Sequence, residues 1–345
     1  MLRQALLTLS RSDAMQRLVT GWPAARRMAR RFVAGETLED AMAACRALNA
    51  QGLAVTLDYL GEAVTERREA EAAGAMAIRI LEAIRREGVE ANLSLKPSQM
   101  GLDIDERFCY DNVARVLERA RQLGDGQEEI FVCLDMESSA YTDRTLDLTE
   151  RLVHAGFRNV GTVLQAYLRR TPNDLERMLR LGVRLRLVKG AYLEPSAIAY
   201  PDKADVDRAY VELMRILLER GHYPAIATHD ERIIEATRRW AFERGIAKTS
   251  FEFQMLYGIR RDLQQRLREE GYNVRVYVPF GEQWYPYLMR RLAERPERSY
   301  DGPRRDLGCP RSSTWVTSSG CGSPTPAATT AGRSSAPGWI SASSA

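Results

Sequence analysis

The sequence is poor in the residues that build metal and disulfide sites. Among 345 residues there are only three histidines, too few for a site that needs several of them. The five cysteines are an odd, scattered set without a Cys-x-x-Cys pair. This spacing argues against a disulfide framework and a structural zinc site, and it favours a reducing compartment.

The sequence also lacks a strong charge excess and a long apolar run. The net charge is +4, and no basic stripe is interleaved with aromatic residues, so nucleic acid is not an expected partner. No stretch approaches the about 20 apolar residues that span a bilayer. The amino-terminal segment is rich in arginine and poor in acidic residues as far as Glu36. We interpret it as an amphipathic helix packed on the main domain, with a transit peptide or a membrane-surface helix as alternatives.

Eight short apolar runs follow residue 51, and long charged amphipathic segments separate them. The runs are residues 52–60, 91–97, 129–137, 159–167, 183–192, 223–230, 250–256 and 273–281. This alternation predicts a parallel sheet with helices outside it, and eight such units in about 250 residues are typical of a TIM barrel. An open doubly wound sheet is the alternative, but the sequence has no Gly-x-Gly-x-x-Gly motif after the first run and no P-loop motif. We therefore predict an α/β fold with a (βα)8 barrel.

Composition divides the chain into three segments. Residues 1–50 are predicted to be helical, and residues 51–296 to form the barrel. Residues 297–345 are rich in Ser, Gly, Pro, Thr and Ala and have no sustained period. Such low complexity is typical of a disordered tail or linker. An out-of-frame translation of a GC-rich gene would give the same composition, so both interpretations stay open.

Polar residues collect where the predicted strands end, and TIM barrels carry their active sites at that end of the barrel. These residues are Lys96, Asp135, Gln165, Arg186, Lys189, Gly190, Thr228, His229 and Tyr277. A structural alternative exists for most of them, such as an ion pair between Lys96 and Asp135 or an ordinary strand-end turn at Lys189 and Gly190. Gln165 is harder to explain in this way, because a buried amide without partners costs about 1–3 kcal/mol.

The chemistry of this rim is dominated by fixed cations, without a Ser–His–Asp or Cys–His arrangement. Arg290 and Arg291 are adjacent on a predicted amphipathic helix and can bind a carboxylate through bidentate hydrogen bonds. A solvated helix face is the alternative. The backbone at residues 189–191 and after Thr228 can approach phosphates closely. The residues alone therefore predict a ligand with phosphates and a substrate with a carboxylate.

Several specific motifs between about residues 50 and 296 carry a resemblance to a known family. They are LDMESS, VGTVLQAYLRRT, RLRLVKGAY, ATHD, FEFQMLYG and VRVYVPFGEQWYPYLMRRLAER. In combination they resemble proline dehydrogenase, most of all the monofunctional bacterial enzyme. The resemblance ends at about Pro296, whereas the family usually continues with another apolar segment.

The resemblance implies a distorted (βα)8 barrel that carries FAD. It implies oxidation of L-proline to Δ1-pyrroline-5-carboxylate by hydride transfer to FAD, the first step of proline degradation to glutamate, with a membrane quinone as electron acceptor. It also implies a cytoplasmic protein in peripheral contact with the inner face of the cell membrane, and it leaves the oligomeric state open. Two alternatives remain, a Schiff-base aldolase that uses Lys96 or Lys189 and a non-catalytic barrel that binds a carboxylate.

The same resemblance assigns roles to individual residues. Asp135 and Arg186 match catalytic residues, with Asp135 orienting Lys96 or Arg186. The substrate-binding positions match Lys96, Tyr277, Arg290 and Arg291, together with Glu294, the glutamate that pairs with the arginines. The FAD-binding positions match Met136, Gln165, Arg186, Lys189, Gly190, Ala191, Thr228 and His229.

Overall fold

The computed structural model describes residue 19, residues 23–124 and residues 129–294. The predicted tail, residues 297–345, lies outside the described residues, as does most of the segment before residue 23. The predictions made for those two parts therefore stay predictions.

Eight parallel strands close into a barrel in chain order, and the eighth pairs with the first. The strands are β1 (Ala54–Tyr59), β2 (Ala91–Leu95), β3 (Val132–Leu134), β4 (Val160–Gln165), β5 (Arg184–Val188), β6 (Ala225–Ala227), β7 (Glu252–Leu256) and β8 (Asn273–Phe280). Each strand lies within one of the eight apolar runs. The predicted (βα)8 barrel is therefore confirmed, and the open sheet is excluded.

Helices separate the strands and surround the barrel. They are α1 (Pro23–Ala29), α2 (Leu38–Asn49), α3 (Arg67–Glu87), α4 (Glu106–Gln122), α5 (Thr142–His154), α6 (Thr171–Leu181), α7 (Lys203–Arg220), α8 (Glu231–Glu243), α9 (Arg261–Glu269) and α10 (Trp284–Glu294). Side-chain oxygens satisfy exposed backbone N–H groups where several helices begin. Asp105 accepts from the N–H of Phe108 at α4, and Asp230 accepts from the N–H of Arg232 at α8.

Strand side chains alternate between the barrel interior and the layer of helices. The apolar positions, such as Leu57 and Phe253, are fully buried in the main hydrophobic core. On several strands the alternate positions are polar, and hydrogen bonds or ion pairs join these side chains across the barrel. Thr56 and Asp58 on β1 and Asn92 and Ser94 on β2 are examples. The others are Arg186 on β5, Glu252 and Gln254 on β7, and Arg275 and Tyr277 on β8.

The helix that carries the two adjacent arginines, α10, packs against the amino-terminal part of the chain. Trp284 and Leu288 lie in one buried cluster with Ala29 and Phe32. The indole Nε1 of Trp284 also donates to Glu36 Oε1 at 3.0 Å. Helix α1 and the segment that follows it therefore support α10 beside the carboxyl end of the barrel.

Phe253 tests the contribution of the core between β7 and its neighbours. Its ring is fully buried, 5.5 Å from Phe251 and 5.4 Å from Tyr272 between centroids. We expect Phe253→Ala to lower the free energy of unfolding by about 3–5 kcal/mol, because it removes apolar contacts and leaves a cavity. Urea denaturation measures the loss. Phe242→Ala is the control, since that ring is 88% exposed and its removal should change stability by less than about 0.5 kcal/mol.

Candidate active site

The carboxyl ends of five strands bring together a cluster of charged and phenolic side chains. Asp58 lies near the end of β1, Lys96 and Asp135 directly follow β2 and β3, and Arg186 and Tyr277 lie on β5 and β8. All five are largely removed from water. Because buried charges are costly unless they are paired, the arrangement depends on the hydrogen bonds within the cluster.

Asp135 lies at the centre of this cluster. Its Oδ1 accepts hydrogen bonds from Arg186 Nη1 at 2.6 Å and from Ser94 Oγ at 2.6 Å. Its Oδ2 accepts from the hydroxyl of Tyr277 at 2.6 Å. Burial raises the pKa of the Tyr277 hydroxyl, and the nearby Asp135 raises it further, so the phenol remains a donor. One carboxylate thus fixes three side chains from three different strands.

Lys96 pairs mainly with Asp58. Its Nζ lies 2.6 Å from Asp58 Oδ1 and 3.9 Å from Asp135 Oδ2. Burial disfavours the charged form of Lys96, but the carboxylates of Asp58 and Asp135 outweigh it and raise the pKa above its ordinary value. Lys96 is therefore an ammonium group, whereas a Schiff-base lysine requires a lowered pKa.

Gln165 presents a buried acceptor that no described residue satisfies. Its Nε2 donates to the carbonyl of Glu137 at 3.1 Å and lies 3.5 Å from the carbonyl of Met136. Its Oε1 is buried and has no hydrogen-bond partner among the described residues. Because an unsatisfied buried acceptor costs free energy, this oxygen indicates a place for a ligand that donates a hydrogen bond.

In the segment after β5, the ammonium group of Lys189 lies between two carboxylates. Lys189 Nζ donates to Asp207 Oδ1 at 2.5 Å and to Asp230 Oδ2 at 2.8 Å. Gly190 has φ 109°, and a Cβ at this position would overlap the ring of Tyr167. The glycine is thus required by contact with Tyr167, and Ala191 continues the same segment.

Thr228 and His229 follow β6. The Oγ1 of Thr228 accepts from the backbone N–H of Asp230 at 3.1 Å. His229 Nε2 accepts from the backbone N–H of Leu256 at 2.9 Å, so Nδ1 carries the proton of a neutral ring. Both side chains lie at the carboxyl end of the barrel, on the side where Lys189 meets Asp230.

The two arginines of α10 differ in their contacts. Arg290 Nη1 donates to Glu62 Oε1 at 2.6 Å, and Glu62 lies in the loop between β1 and α3. Arg291 Cζ lies 5.1 Å from the ring centroid of Tyr287. Glu294 is the last residue of α10, and its side chain lies outside the described part of the structure, so its expected pairing with the arginines stays a prediction. The described partner of Arg290 is Glu62.

Several residues of this site were not predicted from the sequence. They are Asp58, Glu62, Ser94 and Gln254. Asp58 and Gln254 interrupt the apolar runs of β1 and β7, which is the same signal that marked Gln165 on β4. Glu62 has no such signal, because it lies in a loop and meets Arg290 only in the folded chain.

Comparison with known proteins identifies the family to which this barrel belongs. The family described as proline dehydrogenase matches residues 41–299. The chain belongs to the proline dehydrogenase family. It is therefore an oxidoreductase, as the resemblance implied.

Two bacterial members of the family match nearly their whole length. Proline dehydrogenase 2 of Bacillus subtilis is 42% identical over 294 residues, which cover 85% of this chain and 95% of that protein. Proline dehydrogenase of Deinococcus radiodurans is 43% identical over 303 residues, which cover 86% of this chain and 95% of that protein. The expected similarity to monofunctional bacterial enzymes is thus confirmed.

Solved structures of larger proteins contain the same fold. Proline utilization A from Bdellovibrio bacteriovorus, inactivated by N-propargylglycine, superposes with a TM-score of 0.73 at 25% identity, covering 78% of this chain and 33% of that one. A Bradyrhizobium japonicum proline utilization A variant has a TM-score of 0.66 at 22% identity. This chain spans about a third of the length of those proteins, so they support the fold of this part alone.

Two features of the described residues concern membranes and metals. None of the described helices is both long enough and apolar enough to cross a lipid bilayer. Within the same residues, no group of three or more His, Cys, Asp or Glu side chains is arranged to hold a metal ion.

Replacing Asp58 tests the dependence of buried Lys96 on its partner. Asp58→Asn leaves the ammonium beside the more distant Asp135 only. We expect the free energy of unfolding to fall by about 3–5 kcal/mol, because one charge of a buried pair then lacks compensation. Urea denaturation at neutral pH measures this change in the free energy of unfolding. The double variant Asp58→Asn/Lys96→Met removes the charge and should recover most of the loss; an equal loss in both variants would contradict this explanation.

Proposed function

We propose that the protein oxidises L-proline to Δ1-pyrroline-5-carboxylate with FAD as its cofactor, the first step of proline degradation to glutamate. The observation that carries the proposal is the buried cluster around Asp135, in which Lys96, Arg186 and Tyr277 meet at the carboxyl end of a barrel of the proline dehydrogenase family. TIM-barrel enzymes carry their active sites at that end of the barrel.

The residues at this end fit FAD. The isoalloxazine ring carries an N–H group, and the buried Oε1 of Gln165 is an acceptor without a described protein partner. An ammonium group has three N–H bonds, and the two carboxylates beside Lys189 take two of them, which leaves one for a phosphate oxygen. Together with Arg186, we assign the binding of FAD to Met136, Gln165, Lys189, Gly190, Ala191, Thr228 and His229.

The arginines of α10 and Lys96 supply the positive charge for the carboxylate of proline. We assign this role to Arg290, Arg291 and Lys96, with Tyr277 beside the substrate and Glu294 supporting the arginines. Holding the substrate through its carboxylate fixes the direction of its ring, which lowers the entropic part of the barrier. These residues would hold proline so that C5 could give up a hydride and the ring nitrogen a proton, which forms the C=N bond, and a bound FAD would supply the acceptor for the hydride.

Arg186 and Asp135 have different parts in this proposal. Arg186 keeps its positive charge, because Asp135 and its other neighbours outweigh the effect of burial and raise its pKa. A fixed cation beside the flavin favours the transfer of negative charge to it. Both oxygens of Asp135 are occupied by Arg186, Ser94 and Tyr277, so its contribution is to hold these side chains in place.

The electron acceptor and the cellular location extend the proposal on the basis of family membership. We propose a membrane quinone as the acceptor that reoxidises the cofactor, and peripheral contact with the inner face of the cell membrane. The basic amino-terminal segment supports such a contact, because anionic lipid surfaces attract arginine and lysine.

The absorbance spectrum of the purified protein tests the function against its two rivals. We expect a yellow protein with flavin absorbance that bleaches when L-proline is added without oxygen. A Schiff-base aldolase would be colourless, and borohydride would trap its substrate on a lysine. A non-catalytic barrel would be colourless and would not react. A colourless protein that cannot be reconstituted with FAD would overturn the proposal.

Replacing either arginine of α10 tests the carboxylate assignment. We expect Arg290→Met and Arg291→Met each to raise the KM for proline by about 10- to 150-fold, because a hydrogen bond between charged groups contributes about 1.5–3 kcal/mol. The flavin spectrum should change little. Arg239→Met is the control, since Arg239 is exposed on α8. An unchanged KM in either α10 variant would contradict the assignment.

A further inference from the structure

A chain of hydrogen bonds extends from Arg186 into the barrel interior, away from the proposed substrate site. Arg186 Nε donates to Gln254 Oε1 at 2.5 Å, and Gln254 Nε2 donates to Glu252 Oε1 at 2.5 Å. Glu252 in turn accepts from Arg275 Nε at 2.9 and 3.0 Å. We call Arg275, Glu252 and Gln254 the interior relay.

The orientation of the Gln254 amide is determined by its neighbours. A guanidinium only donates hydrogen bonds and a carboxylate only accepts them. The carbonyl of Gln254 must therefore face Arg186 and its NH2 group must face Glu252. Turning the amide over would place an acceptor against the carboxylate and a donor against the guanidinium, so both hydrogen bonds would be lost at once.

Arg275 and Glu252, the end of the interior relay farthest from Arg186, are fixed by further contacts. Arg275 also donates from Nη1 to the carbonyl of Val55 at 2.9 Å. Burial alone would raise the pKa of Glu252, but the adjacent Arg275 outweighs it and lowers the pKa below its ordinary value. Glu252, on β7, is thus an ionised carboxylate held by Arg275 on β8, and it is a fixed acceptor for Gln254.

The relay and Asp135 together fix the plane of the Arg186 guanidinium. Gln254 holds Nε, while Asp135 and Ser94 hold Nη1 at 2.6 and 3.2 Å. Among the described residues no acceptor for the N–H groups of Nη2 is found, so this nitrogen can donate to a ligand. With Gln254 removed, the guanidinium would be held by the contacts at Nη1 and by the ring of Tyr277, whose centroid lies 5.3 Å from Cζ. Neither contact holds Nε, so the guanidinium could rotate within its own plane.

We propose that Gln254 is a positioning residue for Arg186, and that the interior relay sets the direction in which the guanidinium faces the cofactor. The inference rests on the proposed function, because it assigns Arg186 to the flavin. Arg290 and Arg291, which lie on α10, hold the substrate carboxylate. Loss of Gln254 should therefore affect the reaction step more than the binding of proline.

The first test compares Gln254→Met with Gln264→Met. Gln264 is also buried, but its amide donates to the backbone carbonyls of Leu256 and Ile259. We expect Gln254→Met to lower kcat by about tenfold or more, with a change of less than about threefold in the KM for proline. Gln264→Met should leave both constants near their wild-type values. Equal effects of the two variants would overturn the proposal.

The second test reads the position of Arg186 without flavin or turnover. In the NMR spectrum of the FAD-free protein, a hydrogen-bonded arginine Nε–H gives a signal protected from exchange, and Arg186→Lys identifies it by its disappearance. We expect Gln254→Met to shift or broaden this signal, and Gln264→Met to retain it. An unchanged signal in Gln254→Met would overturn the positioning role.

The third test exchanges the amide and the carboxylate. Glu252→Gln deprives Arg275 of its charge partner, and Gln254→Glu places two carboxylates against each other, so each single variant should lose activity. The double variant Glu252→Gln/Gln254→Glu keeps the net charge. It can rebuild the hydrogen bond from Arg186 to residue 254 and, in the opposite direction, the one between residues 254 and 252, and it leaves Arg275 one amide oxygen to donate to. We expect it to recover kcat to within about threefold of wild type. A double variant no better than the single ones would overturn the relay.

These experiments separate the inference from the proposed function. A wild-type protein that binds no FAD and does not oxidise proline would overturn the proposed function. The NMR comparison needs neither property, so it still decides whether Gln254 holds Arg186.

Discussion

The hydrogen bond between Asp135 and Arg186 is the contact on which the rest of the site depends. A charge removed from water must be paired, and this barrel keeps several charges inside. In the described part of the barrel interior, three ion pairs each join a cation to a carboxylate, so each of these six charges has a partner. The pairs are Lys96 with Asp58, Arg186 with Asp135 and Arg275 with Glu252. Asp135 connects the first two pairs, because it binds Arg186 and lies near Lys96. Gln254 connects Arg186 to Glu252 of the third pair. Removing Asp135 would leave groups from several strands without compensation.

The pairing of the interior charges has a consequence for the carboxyl end of the barrel. Since the interior cations are already paired, Arg290 and Arg291 supply additional positive charge above them, and Glu62 offsets part of it. In the proposed function, these arginines receive the carboxylate of the substrate. The neutral side chains Tyr277, Gln165 and Gln254 complete the arrangement by carrying hydrogen bonds without adding charge.

Much of the fold was predictable from local pattern. Eight apolar runs separated by amphipathic segments predicted eight strands, and all eight are present, because strand and helix periods are properties of neighbouring residues. Part of the candidate site was predictable too, since Lys96, Asp135 and Gln165 stand where strands end. An ion pair between Lys96 and Asp135 was the structural alternative for these two residues, and the structure places Asp58 closer to Lys96 than Asp135. A partner on another strand is decided by the register and curvature of the barrel, which no local pattern contains.

The sequence by itself determined the order of strands and helices, the rim on which polar residues gather and the family to which the motifs belong. Tertiary structure alone decided which of those residues meet. It joined Arg290 to Glu62 across 228 positions of the chain and Arg186 to Gln254 across 68. The physical reason is closure of the barrel: strands distant in sequence become neighbours around a narrow interior, where buried charges must find partners. Pairing is thus a property of the closed barrel, whereas residue type and period belong to the chain.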